Sequence, residues 1–151
     1  MGESYFYGRF RHSIDEKGRL VIPARFQGVL KRKGEDIVVI TNGDIGLWVY
    51  PENEWDKIAD EIQNMSIYEE KVKRYVDYFI SGGHPCQIKQ GRITIPPNLR
   101  DVAKLNKDVM VVGSVRFFKI IDTETWEKYF AEIREEFPSI INELFSRKSG
   151  P

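Results

Sequence analysis

Asp15-Glu16-Lys17-Gly18-Arg19-Leu20-Val21-Ile22-Pro23 returns 73 positions later as Ile88-Lys89-Gln90-Gly91-Arg92-Ile93-Thr94-Ile95-Pro96. In both copies a Gly-Arg pair precedes apolar residues at alternate positions and then a proline, the pattern of a hairpin turn, a short strand and a helix start. Glycine supplies the positive φ a tight or bulged hairpin needs, and the arginine after it stands at the turn's edge. One Gly-Arg pair alone reads as a plain turn. Two in register mark a repeated unit.

The repeat extends outward. Short helical patterns follow each proline, at 24–30 and 97–103, and β-branched runs follow those, at 37–40 and 109–112. A second strand is expected at 47–50 and at 117–120, and each half then enters a helix with a tryptophan near its start, Trp55 or Trp126. One unit is written twice. The expected segments are a first repeat over 1–55, a helical bridge over 56–83, a second repeat over 84–126 and a C-terminal helical segment over 127–151. Halves of this size bury only modest cores, so they are expected to share one.

Hydrophobic residues make up 41% and aromatics 13%, which points to a folded globular chain rather than disorder. No apolar run is long enough for a membrane span, and the first residues lack a signal-peptide pattern, so a cytoplasmic protein is expected. The single cysteine, Cys86, excludes an internal disulfide framework. Net charge is zero, yet it is unevenly placed. Residues 1–33 hold eight Lys/Arg against three Asp/Glu, net +5; residues 34–70 hold one against ten, net −9. Residues 71–107 hold eight against two, net +6, and residues 108–151 hold six against eight, net −2. The two basic blocks carry the two turns, so the chain can offer a positive face to a polyanion.

Residues 1–14 alternate, with Phe6, Phe10 and Ile14 on one side and Arg9 and Arg11 on the other, as in a strand leading into the first turn. Asp15 can accept from backbone N–H groups of the turn or hold the Arg19 guanidinium. Ile88 can do neither, so the second turn is expected to be less pinned. Lys31-Arg32-Lys33-Gly34 reads as a basic loop. Trp55, Ile58, Ile62 and Met65 recur at helical spacing as a buried stripe, and Ser66 with Glu69 reads as a capping box for the next helix. Asp122 or Thr123 is the expected N-cap of the last helix, which Pro138 is expected to interrupt. Beyond it the apolar stripe of Ile140, Ile141, Leu144 and Phe145 calls for a partner, on its own domain or a neighbouring subunit.

Catalytic and metal constellations are sparse. His84 and Cys86 lie two apart, but zinc needs four ligands and His12 is 72 residues away. A structural cysteine beside a loop histidine is the better reading. No acid–base pair or phosphate loop stands out, so neither enzyme activity nor a cofactor is expected.

On the two turns, together with Gly8-Arg9, His12-Ser13-Ile14, Pro23-Ala24-Arg25-Phe26, Leu47-Trp48-Val49-Tyr50-Pro51 and Pro97-Asn98-Leu99-Arg100, the sequence resembles the MraZ family, a bacterial branch of the AbrB-type swapped-hairpin regulators. The resemblance implies an α+β fold, a pseudo-two-fold β-barrel of two AbrB-like repeats flanked by helices, assembled as a homo-oligomeric ring. It also implies a nucleoid-associated repressor that binds direct repeats in double-stranded DNA upstream of its own cell-division and cell-wall operon. In that family Asp-x-x-x-Arg is tied to DNA binding; here Asp15 and Arg19 keep it, while Arg92 has Ile88 in place of the acid. Position and charge make Arg19 the expected base-reading residue, with Arg9, Arg11, Lys17, Lys89 and Arg92 on phosphates. The alternative is a protein-interaction module, antitoxin-like or a scaffold, built on the same barrel. No membrane or small-molecule partner is expected.

Overall fold

A computed structural model describes residues 4–146. Residues 1–3 and 147–151, the outer ends of the expected first repeat and C-terminal segment, lie outside the described residues. The first half runs β1 (Arg9–Ser13), β2 (Arg19–Val21), α1 (Ala24–Arg32), β3 (Ile37–Asn42), β4 (Leu47–Pro51) and α2 (Glu52–Gln63). After α3 (Glu70–Tyr75), which continues as a π-helical turn over Val76–Ile80, the second half repeats the order. It runs β5 (His84–Gln87), β6 (Arg92–Thr94), α4 (Pro97–Val102), β7 (Asp108–Gly113), β8 (Phe118–Asp122) and α5 (Thr123–Ser146).

Six strands form one antiparallel sheet in the order β1-β7-β8-β4-β3-β5. Exchange of the halves turns this order into itself read from the other end. Each half lends its first strand to the other, since β1 pairs with β7 and β5 with β3. Equivalent residues meet where the halves adjoin: Trp48 opposite Lys119 in β4–β8, and Leu20 opposite Ile93 in the separate β2–β6 ribbon. The sheet's outer strands β1 and β5 carry no ladder to each other among the described residues, so the expected closed barrel is not made by one continuous sheet. Instead β1 turns into β2 and β5 into β6, and the ribbon links the two ends.

The halves share one core. Phe6, Leu20, Ile22, Phe26, Val38, Ile40, Leu47 and Val49 of the first half pack in one cluster with Ile93, Ile95, Val109, Val111, Phe118 and Ile120 of the second. A second aromatic layer lies outside the sheet, where Tyr50 stacks on Phe117 at 4.5 Å and Trp55 and Tyr75 meet Phe79 at 5.5 and 5.1 Å. Burial there pushes the Tyr50 phenol well above its ordinary range, with the Tyr75 phenol adding to the shift.

Several local expectations are corrected. α2 has no buried apolar stripe: Met65 is exposed, Trp55, Ile58 and Ile62 are half-buried, and the buried residue is Glu54, paired with Lys57 at 3.1 Å. Glu69 caps α3 by accepting from the Val72 N–H, while the Ser66 hydroxyl takes Tyr68 N–H instead. Lys31 and Arg32 form the last turn of α1 rather than a loop, where their charge complements the helix dipole. The Asp122 carboxylate binds Asn106 N–H, and the Thr123 hydroxyl is buried without a partner among the described residues, so neither shows the expected cap. α5 passes through Pro138 without ending. Proline there removes one amide donor, and on an exposed stretch water can satisfy the carbonyl it leaves.

Candidate nucleic-acid interface

The two Gly-Arg turns are built differently although their sequences align. In the first, Gly18 N–H donates to Asp15 O at 2.9 Å and Asp15 N–H to Arg19 O at 3.0 Å, with Gly18 at φ +82°. That is a three-residue loop closed by a glycine bulge. The Asp15 carboxylate gathers the rest: its Oδ1 accepts Lys17 N–H at 3.0 Å and Arg19 N–H at 2.8 Å, and its Oδ2 accepts Arg19 Nε–H at 2.6 Å. Arg19 N–H, followed by its guanidinium, holds the Asp15 carboxyl below the usual carboxylate range. The Asp15 carboxylate's contribution to the turn is therefore present at every pH above the ordinary carboxylate pKa and is lost as pH falls through the lowered one, while the two backbone bonds that close the loop do not titrate.

In the second turn Lys89 and Arg92 exchange both backbone hydrogen bonds at 3.0 Å, with Gln90 at φ +54° and Gly91 at φ +73°. This is a two-residue loop with both central residues left-handed. Its own backbone takes the arginine N–H that Asp15 takes in the first turn. Among the described residues, however, nothing replaces the Asp15 bonds to the Lys17 N–H and to the arginine side chain, so the second turn is less pinned, as expected, and Ile88 packs against the core.

The ribbon fixes which way these residues look. Leu20 and Ile93 face the core, so Arg19, Val21, Arg92 and Thr94 share its exposed face, with Arg19 opposite Thr94 and Arg92 opposite Val21. Arg19, Lys89 and Arg92 line one open groove of about 600 Å³ together with Gln87, Gln90 and Thr94. Lys17 stands exposed on the first turn. Among the described residues, Lys17, Lys89 and Arg92 form no ion pair with a carboxylate.

Arg9 and Arg11 are placed elsewhere. They lie on the outward side of β1 under α5, Arg9 over the Phe130 ring at 4.8 Å and Arg11 at 3.4 Å from Glu127. The structure thus brings together Arg19, Lys89 and Arg92, keeps Asp15 and Lys17 on the adjoining turn, and turns the β1 arginines toward the last helix. Thr94, Gln87 and Gln90 escaped the sequence reading; Thr94 was findable, since it alternates with Arg92. His84 is on strand β5 rather than in a loop, and it lines the groove beside the buried Cys86. No group of three His, Cys, Asp or Glu side chains with metal-binding geometry occurs among the described residues. No helix among them is long and apolar enough to cross a membrane.

A family model described as "MraZ protein, putative antitoxin-like" matches twice, over residues 5–78 and 79–148, once for each half. A protein of Natranaerobius thermophilus named transcriptional regulator MraZ is 36% identical over 140 residues, which is 92% of this chain and 96% of that protein. Its namesake in Desulforamulus reducens is also 36% identical, with the same coverage. That of Syntrophobacter fumaroxidans is 37% identical over 142 residues, 93% of this chain and 95% of its own.

Proposed function

The chain belongs to the MraZ family, and from that premise we propose that it is a transcriptional regulator that binds double-stranded DNA through the exposed face of the β2–β6 ribbon. The observation that carries this reading is the joint presentation of Arg19 and Arg92 on one face of a two-stranded ribbon, with Lys17 and Lys89 at its turns. The major groove of B-DNA admits a two-stranded β-ribbon, and an arginine fork there can grip guanine O6 and N7. Arg19, aimed by Asp15, is the base-reading residue; Lys17, Lys89 and Arg92 hold phosphates. Arg9 and Arg11, engaged by α5, contribute at the margin.

One ribbon binds weakly. A ring of subunits that shows the same ribbon many times on one face would engage direct repeats, each later contact being effectively intramolecular. In this reading the ribbon and the six-stranded sheet together make the pseudo-two-fold barrel, the exposed residues Phe137, Ile141 and Leu144 of α5 are available for subunit contact, and the protein represses its own cell-division and cell-wall operon in the cytoplasm, on the nucleoid. The same apolar residues favour a second reading, in which α5 grips a protein partner in an antitoxin-like role.

Fluorescence anisotropy with the DNA upstream of the gene and with a scrambled duplex, at low and near-physiological salt, tests the proposal. Preference for the upstream DNA that survives the higher salt is expected. Lys17→Ala should weaken both duplexes alike and reduce the slope of log affinity against log salt by about 1 per binding turn. Equal binding that collapses with salt would move the protein-partner reading to the front.

A further inference from the structure

The helix after each turn reaches across to the other repeat's turn. Gln27 in α1 and Arg100 in α4 are 73 positions apart, the same offset as the turns. Gln27 Nε2 donates to Ile22 O at 2.6 Å, and Arg100 Nε donates to Ile95 O at 3.2 Å. Each isoleucine precedes a proline at a strand end, and in each case a side chain from the following helix supplies the carbonyl's donor. Both isoleucines are fully buried, so an unsatisfied carbonyl there would be costly. The N–H groups of the same isoleucines close the link to the opposite turn. Ile22 N–H donates to Gly91 O, and Ile95 N–H to Gly18 O, both at 2.8 Å.

Each side chain also lies over that opposite glycine. A methyl group added at Gly91 would come within 2.7 Å of Gln27 Oε1, and one added at Gly18 within 3.1 Å of the Arg100 guanidinium carbon. Gly18 and Gly91 immediately precede Arg19 and Arg92. The peptide from which each arginine projects is therefore held by the other repeat.

We infer that Gln27 and Arg100 are positioning residues for the turn arginines, each setting across the pseudo-two-fold the glycine from which an arginine of the other half projects. The inference rests on the reading of Arg19 and Arg92 as DNA contacts. It explains how two turns of different loop length keep their arginines on one face. The shared element is the cross-repeat bond to the glycine carbonyl, not the turn itself.

Arg100→Gln and Arg100→Leu separate positioning from charge. Glutamine is what the other repeat uses at this position and keeps a donor; leucine fills the space without one. Wild type and both variants are compared by affinity for the upstream and scrambled duplexes, and by hydrogen–deuterium exchange over residues 15–19 and 94–96 without DNA. Arg100→Leu is expected to cut the upstream-to-scrambled ratio about five- to tenfold, as loss of one oriented hydrogen bond implies, and to speed exchange at both segments. Arg100→Gln should stay within about twofold of wild type in both measurements.

Equal losses in the two variants would make Arg100 a charge contact and overturn the inference, as would wild-type exchange and ratio in Arg100→Leu. If the wild-type chain does not discriminate the duplexes, the DNA reading has failed, and the exchange data alone judge whether residue 100 holds the turn: unchanged exchange in Arg100→Leu overturns that too. Should Arg100→Leu not fold, Gln27→Leu poses the same question at the second turn, with faster exchange over 88–92 expected and an unchanged rate contradicting the inference.

Discussion

Replacing Phe26 by alanine is expected to cost about 3–5 kcal/mol of folding stability, read as a fall in the denaturant midpoint without a large change in slope. Phe26 is fully buried in α1 and meets three rings brought by other segments: Phe6 at 5.4 Å, Phe10 at 5.3 Å and Phe118 at 5.2 Å. Two of these contacts are edge-on, a geometry that adds about 0.5–1.5 kcal/mol per pair beyond area burial. Phe118 belongs to the second half, so the ring also joins the repeats. The void left by truncation is lined by rigid aromatic rings and β-sheet, which collapse poorly into it. A domain of this size has about 5–15 kcal/mol in all, so the variant would sit near the edge of folding. By contrast Trp55, a larger side chain, is only half-buried and should matter less. A loss below about 1 kcal/mol for Phe26→Ala would show that the shared core is not organised around this ring.

Arg19→Ala should weaken binding to the upstream DNA by about 1–3 kcal/mol, roughly five- to 150-fold, and should lower the preference over scrambled DNA by a similar factor. The fold should be unaffected. Arg19 is exposed, and the Asp15 carboxylate would still accept the two backbone N–H groups that shape the turn. Arg19→Lys restores the charge without the planar fork, so it should recover affinity for both duplexes but little of the preference. Arg92→Ala, at a turn without the carboxylate, should lower affinity while leaving most of the preference intact. Unchanged operator binding by a normally folded Arg19→Ala protein would sink the assignment of base readout to this residue.

How much of this was legible from the residues alone depends on whether the determining interaction is local. The alternation around Leu20 and Ile93 gave the inward face of the ribbon, and the glycines gave two of the three left-handed turn positions, Gln90 being the third. The role of Asp15 was readable because its partners lie within four residues. The strand exchange that pairs β1 with β7 was not readable from local pattern, since a strand's alternation specifies which side is buried and not which neighbour it joins. The difference between the turns turned on one hydrogen bond. Where Asp15 takes the arginine N–H, the loop widens by a residue; where Ile88 cannot, the Lys89 carbonyl takes it and the loop tightens.

Pro138 misled for a different reason. The apolar spacing of Phe130, Ile133, Phe137, Ile141 and Leu144 continues through it without a change of phase, and a single missing donor on an exposed helix does not outweigh that continuity. The capture of Arg9 and Arg11 by α5 was equally hidden. Outward-facing arginines on a strand look alike in sequence whether they meet solvent, nucleic acid or a helix that arrives more than a hundred residues later.

Hydrogen–deuterium exchange of the protein with and without its upstream DNA, read by mass spectrometry across the chain, tests the central claim most directly. Slowed exchange confined to residues 15–22 and 88–95, with the scrambled duplex giving little change, is the result predicted for a ribbon that docks on DNA. Protection that falls instead on α5 and β1, with the two turns exchanging as they do in free protein, would contradict the account.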